Sequence, residues 1–243
     1  MKNKNRKEDK SIVIPQRDKI GHNLNIYQRP DLTENQKKFL QLALDKNTKI
    51  MFVSGPAGTS KTYCAILAAL QLLNEKKVSD LIYIRSAVES SDSKLGFLPG
   101  DQAEKMAPYI QPLLDKLEEL LPKEDIYKLH KDQRINGIPI NFLRGQSWNA
   151  KVVVADEMQN CTTKEIVTLI TRFGNFSKLF ILGDPQQSDI NGKSGFTKIS
   201  TVFSTEMSKY HGIHFFEFTK DDIVRSELVK FIIETLQNAA IIV

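Results

Sequence analysis

Residues 50–62, with the sequence IMFVSGPAGTSKT, carry the strongest fold signal in this chain. Residues 50–53 are apolar, as in a buried strand, and they lead into a glycine-rich turn that ends in Lys61 and Thr62. An apolar helical pattern follows at once. This order places backbone N–H groups and the positive end of a helix dipole around an anion. The stretch therefore predicts a P-loop, in which Lys61 binds the β- and γ-phosphates of a nucleoside triphosphate and Thr62 binds Mg²⁺.

One position in this stretch departs from the P-loop consensus. Ser60 stands where the consensus has glycine, which lets the backbone approach the phosphates without a Cβ in the way. The alternative for the stretch taken alone is an ordinary strand–turn–helix with an exposed lysine. The residues expected to bind the nucleotide are those of the turn and the helix start: Gly55, Pro56, Ala57, Gly58, Thr59, Ser60, Lys61 and Thr62.

Composition limits the class of protein. The chain has 243 residues, of which 41% are hydrophobic, and this excludes wholesale disorder. A formal charge of +5 permits a nucleic-acid partner without requiring one. Two cysteines form no disulfide framework and favour a reducing compartment. No apolar run approaches the about 20 residues of a membrane span, so we expect a cytoplasmic protein with no membrane partner.

The pattern along the chain predicts one main domain. Residues 1–29 begin with a lysine-rich segment, and we expect a basic, flexible lead-in. Residues 30–243 are expected to form a single domain. The turn-rich and proline-interrupted stretch at about 87–135 does not fit the pattern of the rest, and we interpret it as an insertion.

Strand and helix patterns alternate through the rest of the chain. Unbroken β-branched and apolar runs, typical of strands buried on both faces, occur at 50–54, 80–85, 138–143, 151–155, 178–182 and 213–218. Helical patterns occur at about 33–45, 61–75, 101–121, 162–173, 195–210 and 222–238. This alternation predicts an α/β fold, in the form of a three-layer domain with a mainly parallel sheet.

Two acidic residues follow the strand predicted at 151–155. Asp156 is expected to bind Mg²⁺, because this small cation prefers oxygen ligands. Glu157 is expected to orient and deprotonate the attacking water. The alternative is a surface turn capped by two acids, but a strand with an acidic tip after a P-loop is what a triphosphate site requires.

A third polar strand end lies at residues 183–187, with the sequence GDPQQ. A carboxylate and an amide at the carboxyl edge of a parallel sheet can respond to the γ-phosphate and couple its loss to movement. Gln187 is the candidate sensor, and a common Gly-Asp-Pro turn is the alternative. Hydrolysis also needs a cation on the transferred phosphoryl group, although any single arginine can instead be a surface ion-pair partner. The candidates are Arg85, Arg144, Arg172 and Arg225.

Together these blocks resemble the PhoH-like proteins, a family of phosphate-starvation-inducible ATPases of bacteria and tailed phages. The resemblance covers roughly residues 30–235, and the short chain is similar to the phage members. Besides the P-loop, it rests on the sequences SAVE at 86–89, KLGFLPGD at 94–101, FLRG at 142–145, ADEMQNCT at 155–162, GDPQQ at 183–187 and DIVR at 222–225.

The resemblance implies a RecA-like P-loop NTPase fold, akin to the first motor domain of superfamily 1 helicases. It implies that Gln36 contacts adenine and that Gln187 senses the γ-phosphate. It also implies a homo-oligomeric ring of six subunits, in which Arg225 acts as an arginine finger and Arg144 acts at a subunit boundary. For a phage-encoded member, the compartment would be the cytoplasm of the host.

Three hypotheses follow. The leading one is an ATPase that uses ATP and Mg²⁺ to bind or remodel nucleic acid in a helicase-like way. RNA is the favoured nucleic acid, and the expected partner is single-stranded RNA or DNA. The alternative is a nucleotide-gated binding or assembly protein that hydrolyses ATP slowly or not at all, and the departure at Ser60 favours it. The third is a small-molecule kinase, but the acidic pair and Gln187 favour water as the acceptor.

Overall fold

The computed structural model describes residues 18–86, 102–143, 145, 147–188, 194–224, 228, 231 and 235. The strands are β1 (Ile50–Ser54), β2 (Asp80–Arg85), β3 (Ile135–Pro139), β4 (Lys151–Asp156), β5 (Lys178–Gly183) and β6 (Ile213–Glu217). The α-helices are α1 (Glu34–Leu44), α2 (Lys61–Asn74), α3 (Gln102–Leu120), α4 (Lys123–Lys131), α5 (Thr163–Ile170), α6 (Gly195–Phe203) and α7 (Glu206–Tyr210).

The strands form one sheet in the order β3-β2-β4-β5-β1-β6, and every neighbouring pair is parallel. Strand β1 divides its side chains between two hydrophobic cores. Met51 and Val53 pack in the core that contains α1 and α2, whereas Ile50 and Phe52 pack in the core that contains α5 and α6. Helices therefore cover both faces, and the predicted three-layer α/β domain with a parallel sheet is confirmed.

Helix α2 is almost entirely buried between the sheet and its neighbours. Every residue from Tyr63 to Leu70 is buried, and each large aliphatic side chain contributes about 1.5–3 kcal/mol when it leaves water. The helix begins directly after the turn that follows β1, so this packing fixes the position of the turn. Because β1 lies beside β5, and β5 beside β4, the carboxyl ends of three central strands meet at one edge of the sheet.

The described part of the N-terminal lead-in is not a flexible extension. Ile20 and Leu24 are buried in the core around α2. The backbone N–H of Leu24 donates to Asn74 Oδ1 at 2.7 Å, and that of Tyr27 donates to the Leu120 carbonyl at 2.8 Å. The lead-in from residue 18 onward is therefore held by α2 and α3, whereas residues 1–17 lie outside the described residues.

The proline-rich helical stretch differs from its prediction. Helix α3 continues through both Pro108 and Pro112, although each proline costs about 3 kcal/mol inside a helix. The buried face of Leu113, Leu117 and Leu120 offsets this cost by packing against the core. Residues 87–101, which include the KLGFLPGD motif of the predicted insertion, lie outside the described residues.

Three other boundaries also differ. Strand β3 was predicted at 138–143 but begins and ends earlier, at Ile135–Pro139. Its pairing with β2 begins with Leu81 opposite Ile135, and a 3₁₀ turn follows Pro139 and ends the strand. The predicted helix 195–210 is divided, since Thr205 caps a separate helix α7. The predicted helix 222–238 does not begin at 222, where a 3₁₀ turn ends, although residues 228, 231 and 235 are helical.

Candidate nucleotide-binding site

The turn after β1 has the backbone conformation of a P-loop. Gly55 has φ +152°, and a Cβ there would lie 2.7 Å from Phe218 Cβ, so only glycine fits. Gly58 has φ +85°. Ser60 is also left-handed, with φ 64° and ψ 28°, which explains why the P-loop consensus has glycine at its position. Helix α2 begins at the next residue, so its free N–H groups face the turn.

The side chain of Lys61 lies back over the turn. Its Nζ donates to the Gly55 carbonyl at 2.7 Å and to the Pro56 carbonyl at 2.9 Å. Burial lowers the pKa of this lysine, while three nearby carboxylates, Asp184, Asp156 and Glu157, act to raise it. The ammonium group is therefore placed in a pocket of acidic groups beside the turn.

Asp156 connects the end of β4 to the start of α2. Its Oδ2 accepts a hydrogen bond from Thr62 Oγ1 at 2.9 Å, and its Oδ1 accepts one from the Glu157 N–H at 3.1 Å. Tyr83 on β2 donates a further hydrogen bond to Oδ2 at 2.7 Å. Burial, together with the adjacent Asp156 carboxylate, raises the pKa of Tyr83, so its hydroxyl stays protonated and remains a donor. The sequence pattern gave no reason to select Tyr83.

The donor set at this point fits a magnesium ion. A threonine hydroxyl and a carboxylate, 2.9 Å apart, are hard oxygen ligands, and Mg²⁺ commonly takes only one or two protein ligands beside phosphate and water. Among the described residues there is no cluster of three or more His, Cys, Asp or Glu side chains that could hold a metal by itself. Thr62 and Asp156 are therefore the described residues best suited to a metal that arrives with a phosphate ligand.

Glu157 has a strained backbone and a fixed side chain. Its φ of 58° and ψ of 36° are left-handed, a conformation that costs a non-glycine residue about 1–3 kcal/mol and is found often at functional sites. Gln159, which is 1% exposed, donates from Nε2 to Glu157 Oε2 at 2.6 Å. The Oε1 atom of Gln159 accepts the Asp184 N–H at 3.1 Å. Gln159 thus ties the acid at the end of β4 to the end of β5, a role that the ADEMQNCT pattern did not reveal.

The end of β5 contributes the third side of the site. Asp184 is 5% exposed and accepts a hydrogen bond from the Gln186 N–H at 3.0 Å, which closes a short 3₁₀ turn. Gln187 lies in this turn, is exposed, and lines the same cleft as Lys61. Its predicted function as a γ-phosphate sensor stays a prediction.

A cleft of about 330 Å³ joins these groups. It brings together most of the residues predicted from the three strand ends. It also includes Arg29 from the lead-in and Lys116 from α3, which no sequence pattern selected. The lining residues from the predicted set are Ala57, Gly58, Ser60, Lys61, Thr62, Asp156, Glu157 and Gln187.

Gln36 lies behind the P-loop instead of in the cleft lining. It is 1% exposed, and its Nε2 donates to the Thr59 carbonyl at 3.3 Å and to the Asp222 carbonyl at 3.4 Å. Its Oε1 accepts the Thr33 N–H at 3.1 Å in a capping box. Gln36 therefore stabilises the P-loop through the Thr59 carbonyl, and its predicted contact with adenine stays a prediction.

The predicted arginines divide into two groups. Arg85 and Arg172 are described, and neither is among the residues that line the cleft. Arg144 and Arg225 lie outside the described residues. The segment just before Arg225 is close to the P-loop, because the Val224 N–H donates to the Gly58 carbonyl at 3.1 Å.

Within the described residues, no helix has both the length and the apolar character needed to cross a membrane. Among solved structures, the Pif1 helicase from Candida albicans matches 86% of this chain and 44% of its own, with a TM-score of 0.41 and 16% sequence identity. This likeness is too distant to support a statement about function.

Relatives in bacteria are much more similar. PhoH-like proteins of Mycobacterium tuberculosis and Bacillus subtilis are 39% and 37% identical over 204 and 205 residues, in each case 83% of this chain. Protein PhoH of Escherichia coli K12 is 32% identical over 203 residues, or 82% of this chain. The matches cover 56–62% of these relatives. The family model described as PhoH-like protein matches residues 30–237, and this chain therefore belongs to the PhoH-like protein family.

Proposed function

We propose that this chain binds ATP together with Mg²⁺ and hydrolyses it. The observation that supports this most strongly is the 2.9 Å hydrogen bond from Thr62 Oγ1 to Asp156 Oδ2. It joins the first turn of the helix after the P-loop to the acidic end of a neighbouring strand. A hydroxyl and a carboxylate in this relation are the two protein ligands that a phosphate-bound magnesium ion requires.

The residues of the cleft have distinct tasks in this proposal. The backbone N–H groups of the P-loop and the start of α2 bind phosphate oxygens, and Lys61 leaves the loop carbonyls to bind the β- and γ-phosphates. Thr62 and Asp156 would hold Mg²⁺, which when bound neutralises charge on these phosphates. Tyr83 keeps Asp156 in place by donating to its Oδ2.

Glu157 is the proposed general base. Its Oε2 accepts a hydrogen bond from Gln159, and among the described residues Oε1 has no hydrogen-bond partner. The free oxygen can accept a proton from the attacking water, while the bonded one keeps the carboxylate oriented. Gln159 also accepts the Asp184 N–H, at the start of the turn that contains Gln187. A movement of this turn would therefore move Glu157 through the Gln159 side chain.

We extend the proposal to an oligomeric, cytoplasmic ATPase that acts on single-stranded RNA or DNA. This extension rests on the family resemblance and on the formal charge of +5. In it, six subunits form a ring, Arg225 reaches the nucleotide of a neighbouring subunit, and Arg144 lies at the boundary. Solution mass with and without ATP and Mg²⁺ tests the ring, and Arg225→Ala should lower phosphate release while ATP binding persists.

Two substitutions test the core of the proposal. Lys61→Ala should abolish binding of a fluorescent ATP analogue, whereas Glu157→Gln should keep binding and stop phosphate release. Lys164→Ala and Glu206→Gln, at exposed positions outside the cleft, are the matched controls. Normal hydrolysis by Glu157→Gln would remove this residue as the base, and unchanged ATP binding by Lys61→Ala would refute the P-loop assignment.

A second candidate is a nucleotide-gated assembly protein with slow hydrolysis. The left-handed conformation of Ser60 favours it, because a side chain occupies the position where the P-loop consensus has none. Phosphate release measured with and without single-stranded RNA and DNA distinguishes the two. Strong stimulation supports the motor, whereas tight ATP binding with near-zero release under all conditions supports the gated protein.

A further inference from the structure

Two cations in the cleft come from segments outside the P-loop and the strand ends. Arg29 belongs to the lead-in, and Lys116 belongs to α3. Together with Lys61, they are the basic residues among the described residues that line the cleft. Neither has a part in the proposed chemistry so far.

Both cations are held by one carboxylate. The Arg29 guanidinium pairs with Glu119 Oε1, and Lys116 Nζ lies 3.0 Å from Glu119 Oε2. The guanidinium carbon of Arg29 also lies 4.4 Å from the centre of the Tyr63 ring. The Tyr63 hydroxyl accepts a hydrogen bond from the backbone N–H of Arg29 at 3.0 Å. One carboxylate cannot neutralise two cations, so this cluster keeps a net positive charge.

The cluster makes contacts that are separate from those of the proposed magnesium ligands. Arg29 contacts Tyr63 and Glu119, whereas Asp156 contacts Thr62 and Tyr83. Tyr63 follows Thr62 directly in the first turn of α2, so the two groups are adjacent along the start of this helix. With the metal and the γ-phosphate assigned to Thr62, Asp156 and Lys61, the cations of the cluster are left for the remainder of a nucleotide.

The size of the cleft is consistent with contact between a nucleotide and the cluster. A volume of about 330 Å³ is at the low end of small-molecule sites, and Arg29 and Lys116 line it together with Lys61 and Thr62. The side chains of the cluster are between 26% and 34% exposed, and ion pairs at this exposure are weak. A phosphate can therefore replace Glu119 as the partner of either cation at little cost.

We propose that Arg29 and Lys116 bind the α-phosphate and sugar end of the nucleotide, and that Glu119 is a counter-ion which the nucleotide displaces. This inference rests on the proposed function, since it assigns a second part of the same site. It makes nucleotide binding depend on the lead-in and α3, which are joined through this cluster. The alternative is that the Arg29–Glu119 ion pair only fastens the lead-in to α3.

The two possibilities predict opposite signs for one variant. Glu119→Gln frees both cations, and ATP and ADP should each bind roughly threefold more tightly, the range of one exposed ion pair. Arg29→Ala should weaken ATP and ADP by the same factor, about tenfold or more, because a charge-assisted contact is lost. Arg29→Lys, which keeps the charge, should give an intermediate affinity.

Isothermal titration with ATP and ADP measures these affinities, and urea unfolding of each variant shows that it is folded. Glu118→Gln, on the exposed face of α3 one residue away, is the matched control and should bind like the wild type. Unchanged or weaker nucleotide binding by Glu119→Gln overturns the inference, as does an Arg29→Ala defect confined to ATP. A wild type that binds neither nucleotide would instead refute the proposed function.

Discussion

Replacing Ser60 with glycine tests whether the end of the P-loop is strained. Its φ of 64° and ψ of 28° are left-handed, and its side chain makes no capping hydrogen bond. The left-handed conformation costs an L-residue about 1–2 kcal/mol. Glycine removes this cost but loses about 0.5–1 kcal/mol more in backbone entropy on folding. The variant should therefore be more stable by about 0.5–1 kcal/mol, which raises Tm by roughly 1–4 °C in a chain of this size.

The other end of the same helix supplies a matched control. Lys76 follows α2, is exposed, and has φ 57°. Lys76→Gly should gain a similar free energy of unfolding, and it lies outside the nucleotide cleft. Urea unfolding followed by circular dichroism, without nucleotide, measures the free energy of unfolding of both variants. The slope of this free energy against urea concentration (the m-value) should stay unchanged.

The outcome separates strain from function. If Lys76→Gly is stabilised and Ser60→Gly is destabilised, Ser60 makes a favourable interaction and the argument from backbone strain is refuted. If both are stabilised, phosphate release from Ser60→Gly becomes informative. Faster release would show that the serine side chain slows hydrolysis, whereas an unchanged rate would show that only the backbone conformation matters.

Three further predictions concern buried groups. Tyr83→Phe removes one hydrogen-bond donor to Asp156, so the free energy of unfolding should fall by about 1–3 kcal/mol. ATP binding by this variant should also need a higher Mg²⁺ concentration, which a magnesium titration measures. An unchanged titration would contradict the positioning of Asp156 by Tyr83. Lys178→Met leaves three backbone carbonyls, at the end of α1 and in the loop that follows it, without their ammonium donor. Urea unfolding should show a loss of about 2–5 kcal/mol in the free energy of unfolding, and an unchanged value would mean that water or another donor replaces the lysine. Burial raises the pKa of Cys64 and Cys161 to about 12, so a thiol reagent near neutral pH should label the native protein only as fast as it unfolds; rapid native labelling would contradict their burial.

The sequence predicted best where a local pattern carries the whole signal. Residues 50–62 specify a strand, a turn and a helix by composition and spacing alone, and the structure has β1, the P-loop and α2 at those positions. The helical pattern at about 33–45 was equally local, and α1 begins at Glu34, directly after Thr33, which caps it. The acid at the end of β4 was selected because a strand with an acidic tip that follows a P-loop is what a triphosphate site requires.

Prediction failed where distant contacts decide the outcome. The lead-in from residue 18 was expected to be flexible together with the lysine-rich segment before it, yet Ile20 and Leu24 are buried in the core around α2. The two prolines of α3 suggested an interruption, but packing of its buried leucines keeps the helix continuous. Entropy and propensity act locally, whereas the burial that outweighs them comes from residues far along the chain.

Residue patterns alone were enough to predict the parallel α/β sheet, the P-loop, and the choice of Lys61, Thr62 and Asp156 as residues that share one site. The side chains that position these residues became visible only in the folded chain. Tyr83, Gln159 and the Arg29–Glu119 pair reach the cleft from a neighbouring strand, a short turn and a packed lead-in. The reason is physical: a motif fixes the backbone near itself, but the direction of a hydrogen bond between elements depends on register and packing, which no single segment encodes.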